Sequence, residues 1–122
     1  MSKRTAAVGK EGEDIAVDFL KKSGYRIVQR NYKNKLGEVD IIARDKETLS
    51  FIEVKTRTSL AFGYPQEAIT QAKQRQLNKV ALSYLKQYNL LHTSARFDIV
   101  SILLDNNHSA PEVSLIKNAF SF

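Results

Sequence analysis

Cysteine is absent from this chain, which excludes disulfides and thiolate metal sites and leaves the redox compartment unmarked. Histidine is scarce. His92 and His108 lie far apart, and each is expected at the surface rather than as a metal ligand. No apolar run approaches the roughly 18 residues that a membrane helix needs. The basic start, Met1 to Gly9, lacks an apolar stretch of signal-peptide length, so the expected location is cytoplasmic. Internal repeats, low-complexity segments and Pro/Gly/Ser linkers are missing too. A length of 122 residues suits one domain and is short for two. The expected organisation is a flexible basic arm over residues 1–10 and a single domain over 11–122.

What is present is enough apolar material for a core, at 43% of residues. Lys and Arg outnumber Asp and Glu by 19 to 13, a formal net charge of +6 that attracts polyanions. Nucleic acid and anionic membrane are the two candidate partners. No strongly basic amphipathic helix with exposed aromatics supports the membrane.

The periodicity predicts a helix from Glu11 to about Lys22. Ile15, Ala16, Val17, Phe19 and Leu20 fall on one broad side, and Ser23-Gly24 ends it. Three strand signals follow: Tyr25 to Tyr32, Glu38 to Arg44, and Thr48 to Thr56. Asp45-Lys46-Glu47 reads as a hairpin link. After a loop from Arg57 to Tyr64, Pro65 is a good first residue for a helix running to about Tyr88. Arg96 to Leu104 reads as a strand, Asp105 to Pro111 as a polar turn, and Glu112 to Ile116 as a last short strand. The order α-β-β-β-α-β, with one extra strand, predicts an α/β fold with a mixed central sheet flanked by helices.

Side chains two apart share a strand face. Glu38, Asp40, Ile42 and Arg44 are therefore expected on one face of the second strand, and Phe51, Glu53 and Lys55 on one face of the third. Adjacent strands lie about 4.8 Å apart, so suitable register brings Asp40, Glu53 and Lys55 together. Two carboxylates held together repel unless a proton or a cation offsets them. Mg²⁺ suits such a pair, because it takes one or two carboxylates, keeps several waters and binds substrate phosphate. A neighbouring lysine can position water or stabilise transition-state charge. The competing reading is an exposed cross-strand charge pattern. Against it, the charges interrupt the apolar runs Val39-Asp40-Ile41-Ile42 and Phe51-Ile52-Glu53-Val54-Lys55, where burial makes a lone charge expensive. Glu13 lies at the edge of the first helix's apolar arc: it either reaches the sheet or simply suits the helix N-terminal dipole. Lys73 lies on the stripe Ile69, Lys73, Leu77, Val80 and Tyr84. It either contacts a phosphate or covers apolar surface with its stem.

Gly12-Glu13, Gly24-Tyr25, Arg30-Asn31-Tyr32, Gly37 to Ala43, Phe51 to Arg57, Phe62-Gly63 and Arg96-Phe97-Asp98 occur in chain order. Together they resemble the YraN family of bacterial endonuclease-like proteins, over about Gly9 to Leu104. That family is similar to Holliday-junction resolvases and restriction endonucleases of the PD-(D/E)xK superfamily. The resemblance implies a restriction-endonuclease-like αβββαβ core and a Mg²⁺-dependent phosphodiesterase site, with Mn²⁺ as an alternative ion. It implies metal ligands at Asp40 and Glu53, the catalytic lysine at Lys55 and an accessory acid at Glu13; on the nuclease hypothesis the Val54 carbonyl is expected as a further ligand. Gln71 or Lys73 would supply a polar contact from the second helix. The proline that names the motif is absent, since Val39 precedes Asp40.

The first functional hypothesis is a metal-dependent DNA endonuclease, selective for branched structure. The alternative is a non-catalytic nucleic-acid-binding or adaptor domain on the same fold. A third is a protein-interaction module whose basic charge is incidental. Candidate nucleic-acid contacts are Lys33, Lys35, Arg57, Gln71, Lys73, Arg75 and Lys79. Resolvase-like proteins act as dimers, so a homodimer is expected by analogy. Arg96 and Asp98 share a strand face and are expected to be structural, and Asn31 to fix a turn or strand end.

Overall fold

The computed structural model describes residues 3–58, 69–104 and 110–122. Helix α1 spans Lys3–Lys22, where the apolar arc buries Ala16, Val17 and Leu20 while Asp14, Asp18, Lys21 and Lys22 stay exposed. It starts eight residues before the expected Glu11, so the segment set apart as a basic arm is continuous with the helix. Gly9 and Gly12 hid this, because each glycine costs a helix interior about 1 kcal/mol. Gly12 has a packing reason. A Cβ there would lie 2.0 Å from Thr56 Oγ1, so only glycine lets α1 approach the sheet this closely. The helix ends in a Schellman motif. The Tyr25 amide donates to the Leu20 carbonyl at 2.9 Å and the Gly24 amide to that of Lys21 at 3.1 Å, with Gly24 at φ +93°.

Five strands form one sheet in the order β1-β2-β3-β4-β5: β1 Arg26–Asn34, β2 Gly37–Asp45, β3 Thr48–Arg57, β4 Ala95–Leu103 and β5 Glu112–Phe120. The first three pair antiparallel through two short hairpins. β3 and β4 are parallel, and β5 returns antiparallel at the far edge. Helix α2, Gln71–Gln87, connects the parallel pair. Thr70 caps it by accepting from the Lys73 amide at 3.1 Å. The expected start at Pro65 and much of the two expected loops lie outside the described residues. β5 runs four residues past the expected Ile116, ending where Phe120 stacks on Phe97 at 4.5 Å between ring centres.

The two helices cover opposite faces of the sheet. On one side α1 packs on Ile41, Ala43, Ile52, Val100 and Ile102. On the other, Leu77, Val80, Ala81, Tyr84 and Leu85 of α2 pack on Val39, Ile42, Leu49, Phe51 and Phe97. The fold is thus mixed α/β, as the element order predicted, and is consistent with the restriction-endonuclease-like core that the resemblance implied. One detail departs from it. Val39 joins the α2 side with Ile42, so strict alternation along β2 fails at Asp40. Asn31 of the neighbouring strand takes φ +54° at the same level, between the pairs Arg30–Ile41 and Tyr32–Val39.

Candidate active site

The departure at Asp40 builds the site. Pairing of β2 with β3 stops at Ile41–Ile52, and beyond it Asp40 takes over the role of the main chain. The Val54 amide donates to Asp40 Oδ2 at 2.8 Å. Burial raises the Asp40 carboxyl to about 8, reinforced by a hydrogen bond to Glu53 and by its charge. The Val54 amide and the Lys73 ammonium pull in the other direction without prevailing. Glu53 is only 7% exposed, and its Oε2 has no hydrogen-bond partner among the described residues. Lys73 Nζ stands 3.6 Å from that oxygen, within ion-pair range but beyond hydrogen-bonding distance.

Asp40 opens into a groove of about 710 Å³ that is also lined by Glu13, Asn31, Glu38, Val54, Lys55 and Thr56. Glu13 is locked in place from β1: its Oε1 accepts from Arg30 Nε and from Asn31 Nδ2, both at 3.0 Å. Arg30 also holds Asp14 at 2.7 Å, and this bond keeps the Asp14 carboxyl below its ordinary value. Asp40, Lys55 and Glu13 therefore share one groove. Glu53 is not among its lining residues and meets it through Asp40. Arg30 and Asn31 were not foreseen as the holders of Glu13. Contacts across 17 and 18 residues depend on how α1 lies against β1, which no local pattern encodes.

The described residues contain no group of three or more Asp, Glu or His arranged to hold a metal ion. Two carboxylates with one unpartnered buried oxygen nevertheless fit a hard cation that keeps most of its water.

A second groove of about 630 Å³ lies between α2 and the β1–β2 turn. Its lining includes Lys35, Leu36, Lys73, Arg75, Gln76 and Lys79, with no carboxylate among the described residues. The turn is pressed onto α2 at Gly37, φ +145°, where a Cβ would meet Gln76 Nε2 at 2.8 Å. Four of the seven expected nucleic-acid contacts meet here. Lys33 and Gln71 are exposed nearby in the chain but do not line it. Arg57 lines neither groove; its carbonyl accepts from the Leu104 amide at 2.7 Å.

Arg96 and Asp98 belong to a structural cluster, as expected. Asp98 is fully buried and accepts from Tyr25 Oη, Ser50 Oγ, Arg96 Nε and the Asn118 amide. Burial and the Asp98 charge push the Tyr25 hydroxyl up to about 12. Arg96 also reaches Asp45 at 2.6 Å.

Fold and site together define the protein as an α/β domain with a restriction-endonuclease-like core whose central strands pair a buried Glu53 with a half-buried Asp40. The chain belongs to the uncharacterised protein family UPF0102, whose family model matches residues 12–102. It is 49% identical over 120 residues to a UPF0102 protein of Caldicellulosiruptor saccharolyticus, covering 98% of this chain and 100% of that protein. It is 52% identical over 114 residues to a UPF0102 protein of Geotalea uraniireducens, covering 93% and 89%. A UPF0102 protein of Geotalea daltonii is 51% identical over 113 residues, with 93% and 88% covered. The YraN resemblance is this same family and is borne out. Among the described residues no helix is long and apolar enough to cross a membrane.

Proposed function

We propose that this protein is a metal-dependent endonuclease that hydrolyses phosphodiester bonds of DNA. The observation that carries the reading is the pairing of the buried Glu53 carboxylate with the half-buried Asp40. It keeps one carboxylate oxygen without a hydrogen bond and opens beside Lys55 and Glu13. Leaving a buried acceptor unmet costs about 1–3 kcal/mol, so a site that retains one has a use for it. Asp40 and Glu53 would hold Mg²⁺ or Mn²⁺, which supplies Lewis-acid polarisation of the phosphodiester and a nucleophilic water at neutral pH. Lys55 offers its ammonium to the charge that develops on the phosphoryl oxygens. Glu13, held by Arg30 and Asn31, presents a fixed carboxylate to the same groove and can accept a proton from water. Lys35, Arg75 and Lys79 would hold the strand on the neighbouring surface.

A cleavage panel of linear, single-stranded, flapped and four-way DNA with Mg²⁺ or Mn²⁺ tests this. The wild type is expected to cut at least one substrate. Glu53→Gln and Lys55→Ala should each lose at least a hundredfold in rate. Wild-type cleavage that persists in chelator refutes the reading. The carboxylate-free basic groove also suits a second reading, a nucleic-acid-binding domain without turnover. Salt-dependent binding with no cleavage on any substrate would favour it.

A further inference from the structure

The geometry points to Lys73 as the resident counter-ion of the buried acid pair, released to a phosphate in the basic groove when a divalent cation takes its place. This rests on the nuclease reading of Asp40 and Glu53 and deepens it, because it couples the site to the groove.

Lys73 belongs to both places. Its Nζ lies 3.6 Å from Glu53 Oε2, the oxygen without a hydrogen bond, and its charge acts on Asp40. The same side chain lines the groove with Lys35, Arg75 and Lys79. Among the described residues it is the one cation of that groove within ion-pair distance of a carboxylate. A charge-assisted hydrogen bond is about 2.7–2.9 Å long, so the ammonium is near Glu53 without being seated on it. Its side chain remains 35% exposed on the first turn of α2, so the head is not enclosed.

A lysine and a divalent cation cannot both neutralise Glu53 Oε2 without repelling each other. The cation carries twice the charge on a small radius and suits oxygen ligands. The displaced ammonium stays tethered by its four-carbon stem and remains beside the groove. Two linked equilibria follow. With no cation bound, Lys73 is held at the acid pair and the groove has one cation fewer for a polyanion. With one bound, the groove gains that charge. Linkage makes the effect reciprocal, so polyanion in the groove strengthens cation binding by the same factor.

Binding of Mn²⁺ alone, followed by loss of its free-ion electron paramagnetic resonance signal, reads the first half. Lys73→Met is expected to bind Mn²⁺ roughly tenfold more tightly than the wild type, since its resident competitor is gone. Lys22→Met removes one positive charge from an exposed pair with Asp18 and should leave Mn²⁺ affinity unchanged. Heparin hexasaccharide, a polyanion without phosphodiester bonds, reads the second half. Saturating Mn²⁺ should raise wild-type heparin affinity several-fold more than it raises that of Lys73→Met. Lys73→Gln should give the same ordering, which keeps the test open if the Met variant fails to fold. A Lys73→Met that binds Mn²⁺ no more tightly than the wild type overturns the inference and leaves the nuclease reading intact. A wild type that binds no Mn²⁺ overturns both.

Discussion

Replacing Asp40 with asparagine should stabilise the metal-free protein at alkaline pH and leave it unchanged at acid pH. The folded state raises the Asp40 carboxyl from its ordinary 3.8 to about 8, through burial first and the Glu53 carboxyl second. A raised acid holds its proton more tightly folded than unfolded. Its favourable contribution is complete below 3.8 and is lost as pH rises through 8. Each pH unit between those values is worth about 1.4 kcal/mol. From pH 5 to pH 8 the ceiling is therefore about 4 kcal/mol. Water entering the open groove beside Asp40 relieves part of the charge. Asparagine also makes a weaker acceptor for the Val54 amide than a carboxylate does. About 2 kcal/mol remains as the expected gain at pH 8. For a chain of this size that is a rise of roughly 8 °C in melting temperature.

Asparagine is suited to the test because it mimics the protonated acid. Its Oδ1 can accept from Val54 as Asp40 Oδ2 does, and its amide can donate to Glu53. Thermal melts followed by circular dichroism in chelator, at pH 5, 6.5 and 8, measure the difference directly. The Asp40→Asn curve should coincide with the wild type at pH 5 and lie above it at pH 8. Added Mg²⁺ at pH 8 should narrow the gap by stabilising the wild type, which alone retains both carboxylates. An Asp40→Asn variant that melts below the wild type at pH 8 would refute the argument. So would a wild-type melting temperature that does not fall between pH 5 and 8.

Two further substitutions test the frame around the site. Gly12→Ala drives a Cβ to 2.0 Å from Thr56 Oγ1 and should destabilise the domain by about 2 kcal/mol, measured by urea unfolding. Gly12→Ala with Thr56→Ala should recover part of that loss, and no recovery would mean that the two residues do not meet. Asp98→Asn takes from the half-buried Arg96 one of its two carboxylate partners, leaving Asp45, and should cost about 2 kcal/mol in the same assay. Its Mn²⁺ affinity should not change, because Asp98 is absent from both grooves.

That Asp40 lies beside Glu53 and shares a groove with Lys55 was legible because charge interrupting an apolar strand is conspicuous, and because a short hairpin ties the two strands in register. That the sheet is mixed and flanked by helices was legible in the order of the elements. Other features were hidden for separate reasons. The first turns of α1 were masked by two glycines, of which Gly12 has its reason across the interface, at Thr56. The end of β5 was masked by Lys117-Asn118, where Asn118 takes φ +54° and bends the strand while its amide donates to Asp98. The break in alternation at Asp40 depends on Asn31, nine residues away, and on where the β2–β3 ladder stops. The basic groove joins residues about forty apart, Lys35 with Lys73, Arg75 and Lys79. Long-range contacts bring them together, among them Gly37 against Gln76 and the Asn34 side-chain amide donating to Ser83 Oγ at 3.2 Å.

The sheet contains two buried acids on adjacent strands, and their treatment differs. Asp98 on β4 is fully buried, yet a tyrosine, a serine, an arginine and a backbone amide all donate to it. Such a carboxylate is finished: it has no lone pair in need of a cation, and its role ends with holding the strands. Glu53 on β3 is nearly as buried, and its Oε2 receives no hydrogen bond while an ammonium waits at 3.6 Å. This fold is therefore able to satisfy a buried acid completely and does so one strand away. A purely structural Glu53 would be expected to show the same closure, or to be replaced by an apolar residue like its neighbours Ile52 and Val54. Its open oxygen, beside an Asp40 carboxyl raised first by burial and then by Glu53, is the feature on which the proposed cation site rests, and a structural ion pair would have no need of it.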